Sequence, residues 1–363
     1  MKYLKLRKVI WGLSVALLIS YAAAIGLTGS ASLENSAQAQ SNDIVPGAGK
    51  IRGTFNPSDM WGAVNKGGIR GTVSIPDKQA GQLIQRNGDE WRNMRVGFIN
   101  SFGGWVLLGV FVLLGIFFAF RGRIQIEAGP SGKTMERFNG LERFTHWMTA
   151  SSFIILGITG LNILYGKAVL MPILGKSAFA SMTYLGKLAH NYISFAFILG
   201  ITLMLFMWIR ENIPNRHDLL WIVKGGGLFA KGVHPPAKKF NAGQKIIFFT
   251  VILGGASISL TGISLMWPFQ VELFGGVFAF LNNFGLSLPT ELSPLQETQL
   301  AQMWHNIVSM VVIAIIIAHA YIGSIGMVGA FDAISTGQVD ENWAKEHHSL
   351  WVEEVKNKNS PAE

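Results

Sequence analysis

Beyond the first 33 residues, which are treated below, five long stretches that are rich in apolar residues contain no Asp, Glu, Lys or Arg, and they constrain the fold more than any other feature. They run over residues 96–120, 144–166, 188–209, 246–271 and 298–331. About 20 apolar residues in a helix are enough to cross the hydrocarbon core of a bilayer. Of all the side chains, 50% are apolar and only 14% are charged, which is typical of a membrane protein rather than a soluble one. We therefore predict an all-α integral membrane protein.

A further uncharged stretch, residues 273–290, differs from these five in composition. It contains Gly275-Gly276, Asn282-Asn283 and Pro289, and these residue types interrupt helices and favour turns. We interpret it as a loop or an interfacial segment rather than as a further span.

The N-terminus has the pattern of a secretory signal peptide. Four Lys or Arg residues lie within the first eight positions, an apolar run follows, and Ala37-Gln38-Ala39 provides a small-residue cleavage motif. An uncleaved anchor is the alternative, because the apolar run is long. The predicted organisation is a signal peptide over 1–39, a periplasmic segment over 40–98, an additional transmembrane helix over 99–121, a four-helix domain over 122–330 and a cytoplasmic tail over 331–363.

Basic residues between the spans predict the orientation of the chain. Segments 121–143 and 210–245 hold five and seven Lys or Arg residues, whereas 167–187 and 272–297 hold three and none. Cytoplasmic loops carry the excess of Lys and Arg. We predict a multi-pass protein of the bacterial inner membrane, with the mature N-terminus periplasmic and the C-terminus cytoplasmic. The net charge of +9 then reports topology and contact with lipid, and no nucleic-acid partner is expected.

Four histidines lie inside the spans or at their edges: His146, His190, His305 and His319. Ionisable groups in a bilayer are expensive and by default mark functional sites; a hydrogen-bonded structural histidine at a helix end is the alternative for any one of them. In the predicted topology, His190 and His305 lie near the periplasmic face. His146 and His319 lie toward the cytoplasmic face. His305 and His319 are 14 residues apart, about 21 Å along one helix and on one side of it.

Two facing neutral imidazoles on different helices can supply both axial ligands of a haem iron. Such a site transfers electrons, and two sites at different depths form an electron path across the membrane. The chain has no cysteine, which excludes disulfides, thiolate iron–sulfur ligation and covalent c-type haem. Zinc is the alternative for paired histidines, but two ligands without a carboxylate are too few. The pattern predicts two b haems, held by His190/His305 and His146/His319.

The other histidines give weaker signals. His217 and His234 fall in a predicted loop, His347 and His348 fall in the polar tail, and all four are expected to be solvated. Three glycines near the first span histidines, Gly157, Gly160 and Gly186, allow close helix approach or room for a flat macrocycle. Ordinary helix packing explains each of them equally well.

Asn241, Gly243 and Gln244 open the fourth span on its predicted cytoplasmic side. An Asn followed three residues later by a Gln resembles a capping box, which is a structural explanation for both side chains. The functional explanation is a quinone site, because quinone carbonyls need hydrogen-bond donors at the membrane edge. An Asn amide and the unpaired N–H groups of a helix start supply such donors.

The pattern as a whole resembles the gamma subunit (cytochrome b556) of membrane-bound formate dehydrogenase, over about residues 137–355. The shared motifs are Arg143-Phe144-Thr145-His146-Trp147, Gly186-Lys187-Leu188-Ala189-His190, Glu211-Asn212-Ile213-Pro214, Phe240-Asn241-Ala242-Gly243-Gln244-Lys245, Trp304-His305, His319-Ala320-Tyr321 and Trp343-Ala344-Lys345-Glu346-His347-His348. Residues 1–120 resemble the longer form of that subunit, which has a signal sequence and one extra span.

This resemblance implies a four-helix dihaem cytochrome b bundle plus one additional N-terminal transmembrane helix. The four span histidines would be the axial ligands of two b haems. Residues Asn241, Gly243 and Gln244, with His319 nearby, would form the pocket for a quinone, either menaquinone or ubiquinone.

The partners implied are an iron–sulfur beta subunit and a molybdenum- or tungsten-pterin alpha subunit at the outer face. The chain would pass electrons from the iron–sulfur subunit through both haems to quinone. It would be the quinone-reducing subunit of a formate:quinone oxidoreductase, with no formate oxidation of its own.

Two other functions remain open from the sequence. One keeps the haems but changes the electron donor, as in the cytochrome b subunit of a nickel–iron hydrogenase or of a thiosulfate reductase. The other is a non-redox membrane anchor or transporter. Transporters often contain internal repeats, and this sequence shows no convincing repeat.

Overall fold

The computed structural model describes residues 88–359, so the predicted signal peptide and most of the predicted periplasmic segment lie outside the described residues. From Trp91 onward the described residues belong to one compact unit. Within this range, five helices are long and apolar enough to cross a membrane, and the all-α multi-pass prediction is confirmed. Span 1 is Asn93–Arg121, span 2 is Gly140–Val169, span 3 is Lys176–Trp208, span 4 is Ala242–Met266 and span 5 is Pro294–Gly326.

Spans 2 and 5 begin before their charge-free windows, at positions where polar side chains cap the helix. Asn139 and Glu142 form a reciprocal capping box at the start of span 2, and Ser293 and Gln296 form another at the start of span 5. Each box satisfies N–H groups that lack a partner within the helix. Span 3 differs most, since it begins at Lys176 rather than near residue 188, so its first turns contain two lysines that the window excluded.

Short helices connect the spans. They are Gly88–Arg92 before span 1, Met171–Leu174 between spans 2 and 3, Arg216–Val223 and the 3₁₀ turn Gly225–Gly227 before span 4, Phe274–Asn282 before span 5, and Asp332–Ser335 and Glu341–Asn359 after it. Spans 1, 4 and 5 include the π-helical turns Asn93–Ile99, Thr250–Gly254 and Ile322–Gly326.

The uncharged stretch before span 5 contains a helix of only nine residues, Phe274–Asn282. This helix is too short to cross a bilayer, in agreement with the interpretation as a loop or interfacial segment. The buried carboxylate of Glu297 on span 5 accepts hydrogen bonds from the backbone N–H groups of Leu273, Phe274 and Gly275, at 3.0, 2.7 and 2.6 Å. A carboxylate at a helix N-terminus is stabilising, so Glu297 fixes this helix against span 5.

Two short strands join the segments that flank the four-helix part of the chain. Strand β1, Thr134–Glu136, pairs antiparallel with β2, Gln338–Asp340, in the register Met135 opposite Val339. We call the end of the bundle that carries these strands the strand end. The pairing brings the residues after span 5 next to the residues before span 2.

The main apolar core also lies at the strand end. Phe138, Trp208 and Phe240 pack there against Trp343 and Trp351 of the C-terminal helix, Glu341–Asn359. The C-terminal segment is therefore folded onto the bundle. Span 1, by contrast, exposes large apolar side chains such as Trp105 at 70% and Phe120 at 90%, which suits a helix that faces lipid.

Candidate functional site

The first histidine pair consists of His190 on span 3 and His305 on span 5. Their ring centroids lie 6.4 Å apart, with the ring planes inclined by 59°. Each ring has a threonine beside it: Thr159 Oγ1 lies 2.9 Å from His190 Nδ1, and Thr261 Oγ1 lies 3.0 Å from His305 Nδ1. Because Nδ1 is occupied in both rings, Nε2 is the nitrogen that remains for a ligand.

The second pair consists of His146, in the first turns of span 2, and His319, near the end of span 5. Their ring centroids lie 6.3 Å apart, with an interplanar angle of 60°. His146 Nδ1 is buried and has no hydrogen-bond partner among residues 88–359. The structure thus brings together both pairs that depth and helix face predicted, while their role as ligands stays a prediction.

The spacing within both pairs fits one metal ion shared by two rings. A metal–imidazole bond is about 2 Å and the nitrogen lies about 1.1 Å from its ring centre, so rings on opposite sides of one metal have centres about 6 Å apart. The observed distances are 6.3 and 6.4 Å. The described residues contain no group of three or more acidic or histidine side chains suited to holding a metal. A metal here would need its other ligands from a cofactor ring, and haem provides them.

Glycines lie against the His190/His305 pair. A Cβ at Gly160 would lie 3.4 Å from His190 Cε1, and a Cβ at Gly262 would lie 3.4 Å from His305 Cε1. At Gly157, on the same helix as Gly160, a Cβ would have no neighbour within 4 Å. Gly160 thus leaves room for the ring of His190, whereas Gly157 borders open space.

A cavity of about 570 Å³ lies beside the His146/His319 pair at the strand end. Asn241, Gly243 and Gln244 line this cavity together with both histidines. The residues that the sequence singled out for a quinone site and for the second haem therefore line one partly open cavity.

The predicted capping box at the start of span 4 is confirmed. Asn241 Oδ1 accepts the N–H of Gln244 at 2.9 Å, and Gln244 Oε1 accepts the N–H of Asn241 at 3.1 Å. Since both amide oxygens are used in this way, both NH₂ groups are left as donors, and neither has a partner within the described range. The capping box therefore orients the two amides rather than competing with a ligand for them.

Gly243 has a packing reason to be glycine. A Cβ at this position would lie 2.7 Å from Trp221 Cη2. Trp221, on the helix Arg216–Val223, also lines the cavity. The absence of a side chain lets this indole lie directly on the start of span 4, where the N–H groups of the first helical turn have no partner within the helix.

Arg137 is a cavity residue that the sequence analysis counted only as a charge for topology. Its side chain is 3% exposed, and its Nη2 donates to Lys239 O at 2.6 Å and to His348 Nε2 at 3.0 Å. Its Nη1 is buried and has no partner among the described residues. Burial lowers the pKa of Arg137 to about 9, so the guanidinium keeps its charge at neutral pH. The sequence signal that could have identified Arg137 is its position just before the capped start of span 2.

The expectation that His347 and His348 are solvated is wrong. His348 is 1% exposed, His347 is partly buried, and both line the cavity. The cause is the C-terminal helix, whose tryptophans pack into the core and carry the two histidines inward. Burial, with Arg137 nearby, lowers the pKa of His348 well below its usual value. The neutral ring donates from Nδ1 to Lys238 O at 2.8 Å.

The remaining loop histidines are nearer to expectation. His234 is partly exposed, and its Nε2 lies 3.0 Å from the carboxylate of Glu127. Hydrogen bonds from Gly232 N–H and His234 lower the pKa of Glu127. His217 is part-buried on the helix Arg216–Val223.

Comparison with known proteins gives a family and several relatives. The family described as prokaryotic cytochrome b561 matches residues 137–336. The formate dehydrogenase cytochrome b556(fdo) subunit of Escherichia coli K12 is 25% identical over 224 residues, which is 61% of this chain and 94% of the relative. The nitrate-inducible formate dehydrogenase cytochrome b556(Fdn) subunit of that strain is 21% identical over 225 residues, covering 61% and 92%. The formate dehydrogenase cytochrome b556 subunit of Haemophilus influenzae is 28% identical over 216 residues, covering 58% and 79%.

Proposed function

This chain belongs to the prokaryotic cytochrome b561 family, and we propose that it is the membrane cytochrome b subunit of a formate dehydrogenase complex. The relatives described above are cytochrome b556 subunits of formate dehydrogenases. The observation that carries the proposal is the presence of two facing histidine pairs on a multi-pass bundle, with ring centroids 6.3 and 6.4 Å apart. That arrangement fits two haems and is unexplained in a non-redox anchor or transporter.

In this function His190 and His305 would hold one b haem, and His146 and His319 would hold the other. A haem with two histidine ligands supplies one-electron transfer and has no open position for oxygen or substrate. The chain's own contribution is to fix the positions of the two histidine pairs relative to each other. Span 5 carries one histidine of each pair, 14 residues apart, which separates the two sites by about 21 Å along the helix.

The cavity beside His146 and His319 is proposed as the site of a quinone headgroup, menaquinone or ubiquinone. The NH₂ groups of Asn241 and Gln244 and the N–H of Gly243 are donors suited to a quinone carbonyl. Arg137 adds a buried positive charge with an unpartnered Nη1. The apolar residues that line most of the cavity suit the headgroup and the start of a lipid tail.

We propose that the strand end faces the cytoplasm, because the basic segments 121–143 and 210–245 lie there. The His190/His305 pair then lies toward the periplasm in the bacterial inner membrane. The partners are an iron–sulfur beta subunit and a molybdenum- or tungsten-pterin alpha subunit on that side. This chain reduces quinone, and formate oxidation belongs to the alpha subunit. Each electron that moves inward works against about 2.3 kcal/mol per 100 mV of membrane potential.

The test is an optical and kinetic measurement on the purified complex. We expect two b haems per chain, both reducible by formate. His319→Ala should lose one haem and quinone reduction, while formate oxidation with an artificial dye continues at the alpha subunit. His217→Ala, outside both pairs, is the matched control and should retain everything.

Three results would overturn parts of this proposal. Quinone reduction that survives His319→Ala would refute the route. Haems reduced by hydrogen rather than by formate would identify a different donor complex. The absence of haem from the wild-type complex would refute the cytochrome function of the site.

A further inference from the structure

The two threonines beside the first histidine pair accept hydrogen bonds from the rings. Thr159 Oγ1 lies 2.7 Å from the carbonyl oxygen of Ile155, and Thr261 Oγ1 lies 3.0 Å from that of Ser257. A carbonyl oxygen can only accept, so each hydroxyl proton points to the carbonyl of its own helix. The hydroxyl oxygen therefore accepts the Nδ1–H of the histidine, at 2.9 Å from His190 and 3.0 Å from His305. The backbone carbonyls of Leu156 and Ile258 are further acceptors for these two rings, so the threonine variants remove one of two acceptors at each ring.

The same arrangement occurs twice, on different helices. Thr159-Gly160 of span 2 faces His190 of span 3, and Thr261-Gly262 of span 4 faces His305 of span 5. In each case the glycine lies against Cε1 of the same ring, with a Cβ-to-ring distance of 3.4 Å if a side chain were present. Two independent helix pairs thus place a hydroxyl oxygen at Nδ1 and a glycine at Cε1, which a chance packing contact does not explain.

The second histidine pair has no such partners. His146 Nδ1 is buried without a hydrogen bond, and in residues 88–359 the ring of His319 has an aromatic contact with His146 but no hydrogen bond. The two sites therefore differ in a property that tunes metal centres. A histidine that donates its free N–H to an acceptor becomes a more basic ligand, and a more basic ligand favours the higher charge of an oxidised iron.

We propose that Thr159 and Thr261 set the haem at His190/His305 to a lower reduction potential than the haem at His146/His319. This inference rests on the proposed function. With that order of potentials, an electron transferred from the first haem to the second would move toward the quinone cavity in the energetically favourable direction. The threonines are positioning residues, because they act through the histidine rings rather than on the iron.

The experiment is a potentiometric titration of the b-haem absorbance of the whole complex. Thr159→Val and Thr261→Val keep the shape of the side chain and remove the acceptor oxygen. Each should shift the oxidised-to-reduced ratio of one haem about tenfold toward the reduced form at a fixed ambient potential, which is about 59 mV for one electron. The other haem should not move. The His319→Ala variant, expected to retain only the first haem, identifies which transition belongs to it.

Control variants separate a hydrogen-bond effect from a packing effect. Thr159→Ser and Thr261→Ser keep the acceptor and should titrate like the wild type. Thr202→Val removes a hydroxyl that bonds Ile198 O on span 3 and has no histidine partner, so it should leave both transitions in place. Thr159→Ala and Thr261→Ala break the same bonds without added bulk and should reproduce the shift seen with Val.

The outcomes distinguish this inference from the proposed function. No haem in the wild-type complex would refute the proposed function itself. Two haems whose potentials do not respond to the Val and Ala variants would overturn only the role of the threonines. Loss of the first haem from both the Val and the Ala variants would show that the threonines hold the pair together rather than set its potential, and would also overturn the inference.

Discussion

Replacing Arg137 by Met removes a buried cation whose cost to folding follows from the structure. Burial lowers the pKa of this guanidinium to about 9, well below its ordinary value, and one pKa unit is worth about 1.4 kcal/mol. The charged form therefore destabilises the folded state by about 5 kcal/mol. This cost is fully present below pH 9 and is relieved as the pH rises above 9 toward the ordinary pKa of arginine, because over that range the unfolded chain binds more protons than the folded chain.

The same substitution leaves two acceptors without a donor. Arg137 Nη2 donates to Lys239 O and to His348 Nε2, and an unpaired buried acceptor costs about 1–3 kcal/mol. The loss, about 2–6 kcal/mol, nearly cancels the relief of the buried charge. We expect the free energy of unfolding of Arg137→Met to stay within about 3 kcal/mol of the wild type.

Quinone reduction should respond much more strongly. A hydrogen bond from a charged donor is worth about 1.5–3 kcal/mol, so kcat/KM for quinone should fall about 10- to 100-fold. Wild-type quinone reduction should also decline as the pH rises through about 9, where Arg137 loses its proton. Stability is measured by unfolding in detergent, and activity by steady-state quinone reduction with both haems bound.

Two control variants sharpen the Arg137 experiment. Arg137→Lys keeps the charge but not the planar fork, so it should retain part of the activity. Arg210→Met removes an exposed arginine at the strand end and should change neither quantity. Unchanged kcat and KM for quinone in Arg137→Met, with both haems present, would refute the assignment of Arg137 to the site.

Two further substitutions test the surroundings of the cavity. Gly243→Ala places a Cβ 2.7 Å from Trp221 Cη2; such overpacking costs about 1–3 kcal/mol and displaces the indole, so KM for quinone should rise. The control Gly276→Ala, in open space, should leave KM unchanged. An unaltered KM in Gly243→Ala would contradict the placement of the headgroup. Lys245→Met breaks the 2.8 Å ion pair between the buried Lys245 and Asp218 and should destabilise the complex by about 3 kcal/mol in detergent unfolding. The double variant Lys245→Met with Asp218→Asn should recover part of the lost stability. The control Lys231→Met, which replaces an exposed lysine, should leave the stability unchanged. Equal stability of Lys245→Met and the wild type would show that the ion pair contributes nothing to folding.

Local patterns in the sequence predicted most of the architecture. The charge-free windows located all five spans, because the cost of burying charge in a bilayer depends on each residue alone. The 14-residue spacing of His305 and His319 placed both on one side of span 5, because helix geometry is fixed. The Asn241–Gln244 capping box was readable for the same reason, since its hydrogen bonds join residues three positions apart.

The exact span boundaries and the burial of the C-terminal segment were harder to predict from the sequence. The charge-free window placed the start of span 3 too far along the chain, because lysines are tolerated where a helix reaches the membrane edge. His347 and His348 in the tail are expected to be solvated, but Trp343 and Trp351, on either side of a break in the helix at His348, pack into the core. Their burial depended on the pairing of β1 with β2, which joins residues 134–136 and 338–340.

What the sequence determined by itself was therefore the membrane character, the number of spans and the four histidines at two depths, since each follows from composition or from spacing within one helix. Only the tertiary structure decided which side chains surround those histidines. Arg137 meets His348 across 211 positions of the chain, and Thr261 meets His305 across 44. Contacts of this kind depend on how separate helices pack. No local pattern encodes that packing, and it is there that the difference between the two histidine pairs arises.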